Sequence, residues 1–125
     1  MISLLGSPDH MLRTILDEMD RLSLPSDLEC DHICYRVATT DRYQELKESI
    51  SKFSTLLFEP MIAGRPISIF LLNEPYVYHG RSIRCLEMPA PKQESSYTEG
   101  WEHAEFVIPH HDNAPLNSTL EKFMH

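Results

Sequence analysis

Two stretches of this chain nearly repeat one another: Asp31-His32-Ile33-Cys34-Tyr35-Arg36-Val37 is echoed by Glu102-His103-Ala104-Glu105-Phe106-Val107-Ile108. Each copy sets an acidic residue before a histidine and continues as a strand-like run. A duplicated half-barrel that draws paired metal ligands from its two copies has this form. At 125 residues the chain is long enough to bury a core and is expected to be one domain.

The residues between the copies fill in the rest. Ser7-Pro8-Asp9 opens a helix, with Ser7 as cap and Pro8 in the first turn, and Met11, Leu12, Ile15, Leu16, Met19 and Leu22 follow at helical spacing until Leu24-Pro25-Ser26. From Cys30 to Val37 the pattern alternates, which sets His32, Cys34 and Arg36 on one strand face and Ile33, Tyr35 and Val37 on the other. Thr39-Thr40-Asp41 then caps a second helix with Tyr43, Leu46, Ile50 and Phe53 as its buried stripe. Strands are expected over 54–58, 67–72 and 82–88, separated at Ala63-Gly64-Arg65-Pro66 and Tyr78-His79-Gly80. A polar linker from Pro89 to Ser96 leads to a fifth strand, Trp101 to Ile108. The spacing of Leu116, Leu120 and Phe123 begins another helix. The expected fold is α+β: an N-terminal helix and linker over 1–29, a βαβββ module over 30–92, and an incomplete second module over 93–125.

Composition limits the partners. With 42% hydrophobic and 24% charged residues the chain reads as soluble and globular, and its net charge of -8 disfavours nucleic acid. Three cysteines without disulfide-scaffold spacing point to reduced thiols and a cytoplasmic location. Met1 to Gly6 lacks the basic flank and cleavage pattern of a signal peptide, and no stretch approaches the roughly 20 apolar residues of a membrane span.

Imidazole and carboxylate together suit Zn, Mn, Fe, Co or Ni as divalent ions, with three or four side chains converging from different strands. His32 and His103 are the imidazole candidates. Strand alternation groups Glu87 with Ile83 and Cys85, opposite Arg84, Leu86 and Met88. A carboxylate in such apolar surroundings needs a metal or a cationic partner, here Arg84 or Arg36. Glu105 shares the His103 face as a general base or second carboxylate, or as a salt-bridge partner of Arg36. Arg36 and Arg65 are the cations available to an anionic substrate. Alternation also aligns Cys30, His32 and Cys34 as a soft zinc set, although structural zinc more often uses loop-borne cysteine pairs. His79, His110, His111 and His125 read as solvated, and the helix stripes as core.

Cys30-Asp31-His32-Ile33 with Arg36, then Met61-Ile62-Ala63-Gly64-Arg65-Pro66-Ile67, Leu86-Glu87-Met88-Pro89 and Glu99-Gly100-Trp101-Glu102-His103, in that order and spacing, resemble the bacterial YecM family. That family is a branch of the vicinal oxygen chelate superfamily, alongside glyoxalase I, extradiol dioxygenases and bleomycin-resistance proteins. The resemblance runs from about Leu12 to Leu120.

It implies two βαβββ modules whose curved sheets form a cup around a divalent metal, with ligands from the first and last strands of each module. These positions map to His32, Glu87 and His103, and the substrate chelates the ion through neighbouring oxygens. The implied function is a metal-dependent small-molecule enzyme with isomerase, lyase or dioxygenase chemistry, in which Glu105 or Glu87 moves a proton. The alternative is a non-catalytic protein that binds ligand or metal. Against the family pattern the chain stops near the second module's helix, which leaves out three strands and the fourth ligand position. This implies a truncated form or a cup completed by partner chains. As an inactive scaffold, it would self-associate as a homodimer through the exposed fifth strand.

Overall fold

The structure, a computed structural model, describes residues 1–25, 27–92 and 98–107. Its elements are α1 (Ile2–Leu5), α2 (Asp9–Arg21), β1 (Glu29–Arg36), α3 (Thr40–Ile50), β2 (Ser54–Phe58), β3 (Met61–Ile62), β4 (Arg65–Tyr78), β5 (Arg81–Pro89) and β6 (Gly100–Val107). The fold is α+β, with the strands in the order β2-β4-β5-β1-β6 and β3 paired to β4 off this path. β1 runs parallel to β5, and every other pairing is antiparallel. A strand joined to a parallel neighbour in the same sheet needs a crossover, and α3 lies on that connection.

α2 begins at Asp9 with Pro8, not the expected Ser7, as its N-cap residue, although Ser7 Oγ still accepts the backbone N–H of Asp9 at 3.1 Å. It ends at Arg21, short of the expected Leu24-Pro25 stop. α3 is capped by Thr39, whose hydroxyl accepts the Arg42 N–H at 3.0 Å. Both helices face one side of the sheet. Leu12, Ile15 and Met19 from α2 and Tyr43, Leu46 and Ile50 from α3 pack with Ile33, Tyr35, Phe70, Leu72, Leu86, Met88, Ala104 and Phe106 in one buried cluster. A two-layer arrangement of this kind leaves the other sheet face for a site.

Several local features differ from simple pattern reading. The Ala63-Gly64 separator is a hairpin turn: Ala63 (φ 53°) and Gly64 (φ 81°) both take the left-handed backbone that a two-residue I′ turn requires. It pairs Met61 with Pro66 and so creates β3. β4 runs well beyond Leu72, through Asn73-Glu74-Pro75, because a register shift between Leu71 and Tyr76 accommodates the proline. Past this shift Ile83 joins Leu86 and Met88 in the core, whereas strict alternation sets it beside Glu87. Arg84 is exposed and donates to the carbonyl of Leu72 at 3.4 Å. Among the described residues no helix is long and apolar enough to cross a membrane. The helix expected around Leu116, Leu120 and Phe123, together with His110, His111 and His125, lies outside the described residues.

Candidate metal centre

The two copies of the repeat become neighbours. β1 and β6 pair antiparallel with Ile33 opposite Ala104, the residues that follow the two histidines, so the ladder carries a local two-fold relation between the copies. His32 then faces Glu105, and Cys34 faces His103. On the other side of β1, Cys34 is the register partner of Glu87, itself opposite Ile69. Ile69, Glu87, Cys34 and His103 therefore form one row across β4, β5, β1 and β6.

Each copy also contains a bulge, and both bulges fall on the acidic residue. Register passes from Cys30–Phe106 directly to His32–Glu105, which leaves Asp31 extra. It passes from Cys34–His103 to Tyr35–Trp101, which leaves Glu102 extra. An extra residue reverses the in-out alternation beyond it. Cys30 and Trp101 consequently belong with the core, while His32 and His103, two residues further on, line the opposite face. This corrects the reading that Cys30, His32 and Cys34 share a face. The soft zinc set is broken, since Cys30 is buried in the core and its thiol is pushed up to about 12 by burial.

The bulges bring each acid onto its histidine. His32 Nδ1 lies 3.0 Å from Asp31 Oδ2, and His103 Nδ1 lies 3.7 Å from Glu102 Oε1. The other ring nitrogen of His32, Nε2, points toward the carboxylates of the cavity. That Nε2 is 3.2 Å from Glu87 Oε2 and 3.7 Å from Glu105 Oε2. The His32 and His103 rings sit 6.3 Å apart, centroid to centroid, in an edge arrangement.

These groups open on a cavity of about 430 Å³ lined by His32, Glu87, Glu102, His103 and Glu105, with Arg36, Arg65 and Lys92 among its wall residues. The structure thus brings together all six residues singled out from the sequence. Arg36 Nε donates to the Thr98 carbonyl at 2.9 Å, and Arg65 Nη1 donates to the Ala90 carbonyl at 3.1 Å. Arg65 Nε is buried and has no hydrogen-bond partner among the described residues.

The start of β6 is held firmly. Glu99 accepts from Arg42 Nε at 3.0 Å and from Tyr35 Oη at 3.3 Å, and Trp101 Nε1 donates to the Gly6 carbonyl at 3.0 Å. The Tyr35 and Trp101 rings meet edge to face at 5.1 Å. Pattern reading misses the parts played by Asp31 and Glu102, and it groups Cys34 with Cys30, which lies in the core, where the structure groups it with Glu102 and His103. Cys34, fully buried, offers Sγ within 4.8 Å of donor atoms on both Glu102 and His103. Burial pushes its thiol far above the ordinary range, with the charges of Glu87 and Glu102 adding to the effect. Imidazole, carboxylate and thiol donors within 4.8 Å of one another are a chemically suitable set for a borderline divalent ion.

Comparison with known proteins agrees with the architecture. The profile of the family described as YecM protein matches residues 3–125. Protein YecM of Escherichia coli (strain K12) is 38% identical over 99 residues, covering 75% of this chain and 51% of that protein. A Haemophilus influenzae protein described as uncharacterized is 27% identical over 97 residues, covering 78% of this chain and 51% of its own length. A solved structure, the structural-genomics protein EC4020, superposes with a TM-score of 0.69 at 35% identity, covering 82% of this chain and 58% of that one. The chain spans about half the length of the curated relatives it matches. With the profile spanning nearly its whole length, the chain belongs to the YecM family.

Proposed function

We propose that the chain is a divalent-metal-dependent, small-molecule enzyme module of the vicinal oxygen chelate type, with His32, Glu87 and His103 holding the ion. The observation that carries this reading is the Asp31–His32–Glu87 line. Asp31 engages Nδ1 at 3.0 Å while Nε2 faces the Glu87 carboxylate at 3.2 Å. Metal-bound histidines commonly donate their second N–H to a carboxylate, which fixes the ring and raises its basicity as a ligand.

An ion held by these residues would supply Lewis-acid polarisation of a carbonyl or enolate oxygen of the substrate. The remaining chemistry belongs to the chain. Glu105, 3.7 Å from His32 Nε2, is the carboxylate suited to take a proton from carbon beside that oxygen. Arg65 lines the cavity with its guanidinium charge, and a substrate carboxylate would be held at this wall by a charge-assisted hydrogen bond. Arg36, fixed through Thr98, adds positive potential on the same wall. The preferred substrate is accordingly a small anion with two neighbouring oxygens, of a size the 430 Å³ cavity admits.

Elemental analysis of untagged protein, purified without chelator, tests the reading. Wild type is expected to carry stoichiometric Zn, Mn, Fe, Co or Ni, and His32→Ala and His103→Ala to lose it. Unchanged metal content in both variants would discard the reading.

A further inference from the structure

The bulge at Glu102 has produced a donor set of a different chemical character from the His32 side of the cavity. Cys34 Sγ, a Glu102 carboxylate oxygen and a His103 ring nitrogen all lie within 4.8 Å of one another. Two of the three residues, Cys34 and His103, are buried at 0% and 7% exposure. Glu102 and His103 line the cavity, and the Cys34 thiol is buried within reach of both. Cys34 is also the register partner of both Glu87 and His103 on its two neighbouring strands. Under the two-fold relation of the repeat, Cys34 occupies the place that Glu105 takes on the other strand. One half of the site therefore offers sulfur where the other offers oxygen.

We propose that the ion held by His103 in this cavity also takes Cys34 as a thiolate ligand, with Glu102 in reach of the same ion, and that the thiol proton leaves to solvent as the ion binds. This makes the centre a sulfur-containing one that selects thiophilic ions such as Zn²⁺, Co²⁺ or Fe²⁺ over Mg²⁺ and Mn²⁺. The inference rests on the reading that the cavity binds a divalent metal, and it adds the ligand that sets its selectivity. Thiolate favours the softer ions because its polarisable lone pairs bond more covalently than carboxylate oxygen does. Burial on the sheet supports the assignment. A strand pair fixes Cys34 and His103 directly opposite each other, so the donors are already positioned before an ion enters.

The test is spectroscopic and uses the whole 125-residue chain, stripped of metal and titrated with Co²⁺. Wild type is expected to develop an intense near-ultraviolet thiolate-to-cobalt charge-transfer band that saturates with binding. Cys34→Ser is expected to lose the band and to bind Co²⁺ at least about tenfold more weakly. Cys30→Ser and Cys85→Ser are expected to keep it. If Cys34→Ser fails to fold, Zn K-edge absorption on zinc-loaded wild type decides without a variant, and one sulfur at about 2.3 Å is expected. Co²⁺ that binds without the band, or a zinc shell without sulfur, would overturn the thiolate assignment and leave the metal reading standing. Failure of wild type to bind either ion would overturn both.

Discussion

His32 and His103 stand on antiparallel neighbouring strands, each one residue before the paired Ile33 and Ala104, with their rings 6.3 Å apart over the same cavity. Each also carries its own acidic neighbour as the bulged residue. A bulge beside a site re-aims side chains, and here it converts an acid–histidine dipeptide, whose members would otherwise point to opposite faces, into a pair in contact.

Asp31 is expected to orient His32 without touching the ion. Asp31→Asn removes the charged acceptor from Nδ1 and should lower Zn²⁺ affinity by about 10–100-fold, the usual range for such supporting carboxylates. Competition with a chelating dye measures this, and far-ultraviolet circular dichroism should be unchanged because Asp31 is exposed. Wild-type affinity in Asp31→Asn would show that His32 is oriented by something else.

How much of this was readable in the amino-acid order can be judged from the same strands. The histidine repeat points to two related strands, and the face shared by Ile33, Tyr35 and Val37 in the alternating pattern is the one buried in the core. The α+β order and the resemblance to the YecM family followed from the motifs and agree with the matched profile. The bulges were not readable, because one-residue insertions into a ladder depend on the partner strand and leave no mark in a period-two pattern. For that reason Asp31 and Glu102 passed as mere flanks of the histidines, and Cys34 was grouped with Cys30. The extension of β4 through Pro75 was hidden for a related reason. Asn73-Glu74-Pro75 has turn chemistry, and only the register shift opposite β5 lets it remain in the strand.

Arg65 is expected to recognise substrate charge. In metal-loaded protein, Arg65→Gln should weaken binding of oxalate, a small dianion with vicinal oxygens, by about tenfold, corresponding to about 1.4 kcal/mol for one charge-assisted hydrogen bond. Metal affinity should not change. Calorimetric titration with oxalate reads the effect, and equal oxalate affinity in the two proteins would remove Arg65 from the anion site.

Glu59 provides a pH-dependent element of stability away from the cavity. It accepts from Lys47 Nζ at 2.7 Å and from Tyr43 Oη at 2.6 Å, and these contacts hold its carboxyl below the usual range. Because the folded-state value is the lower one, the stabilisation is complete above the unfolded value near about 4.3 and is lost as pH falls through the folded value. Glu59→Gln should therefore be less stable than wild type by about 1 kcal/mol at neutral pH, with the gap shrinking as the solution is taken to about pH 3. Urea unfolding at the two pH values measures it. A gap of the same size at both would contradict the assignment.

The central claim is that the two histidines of the repeat bind one metal ion between adjacent strands. Calorimetric titration of metal-stripped wild type, His32→Ala and His103→Ala with Zn²⁺ tests it most directly. The account predicts saturable binding by wild type and affinities at least about tenfold weaker in each variant. Zn²⁺ binding of equal strength in all three proteins would contradict it.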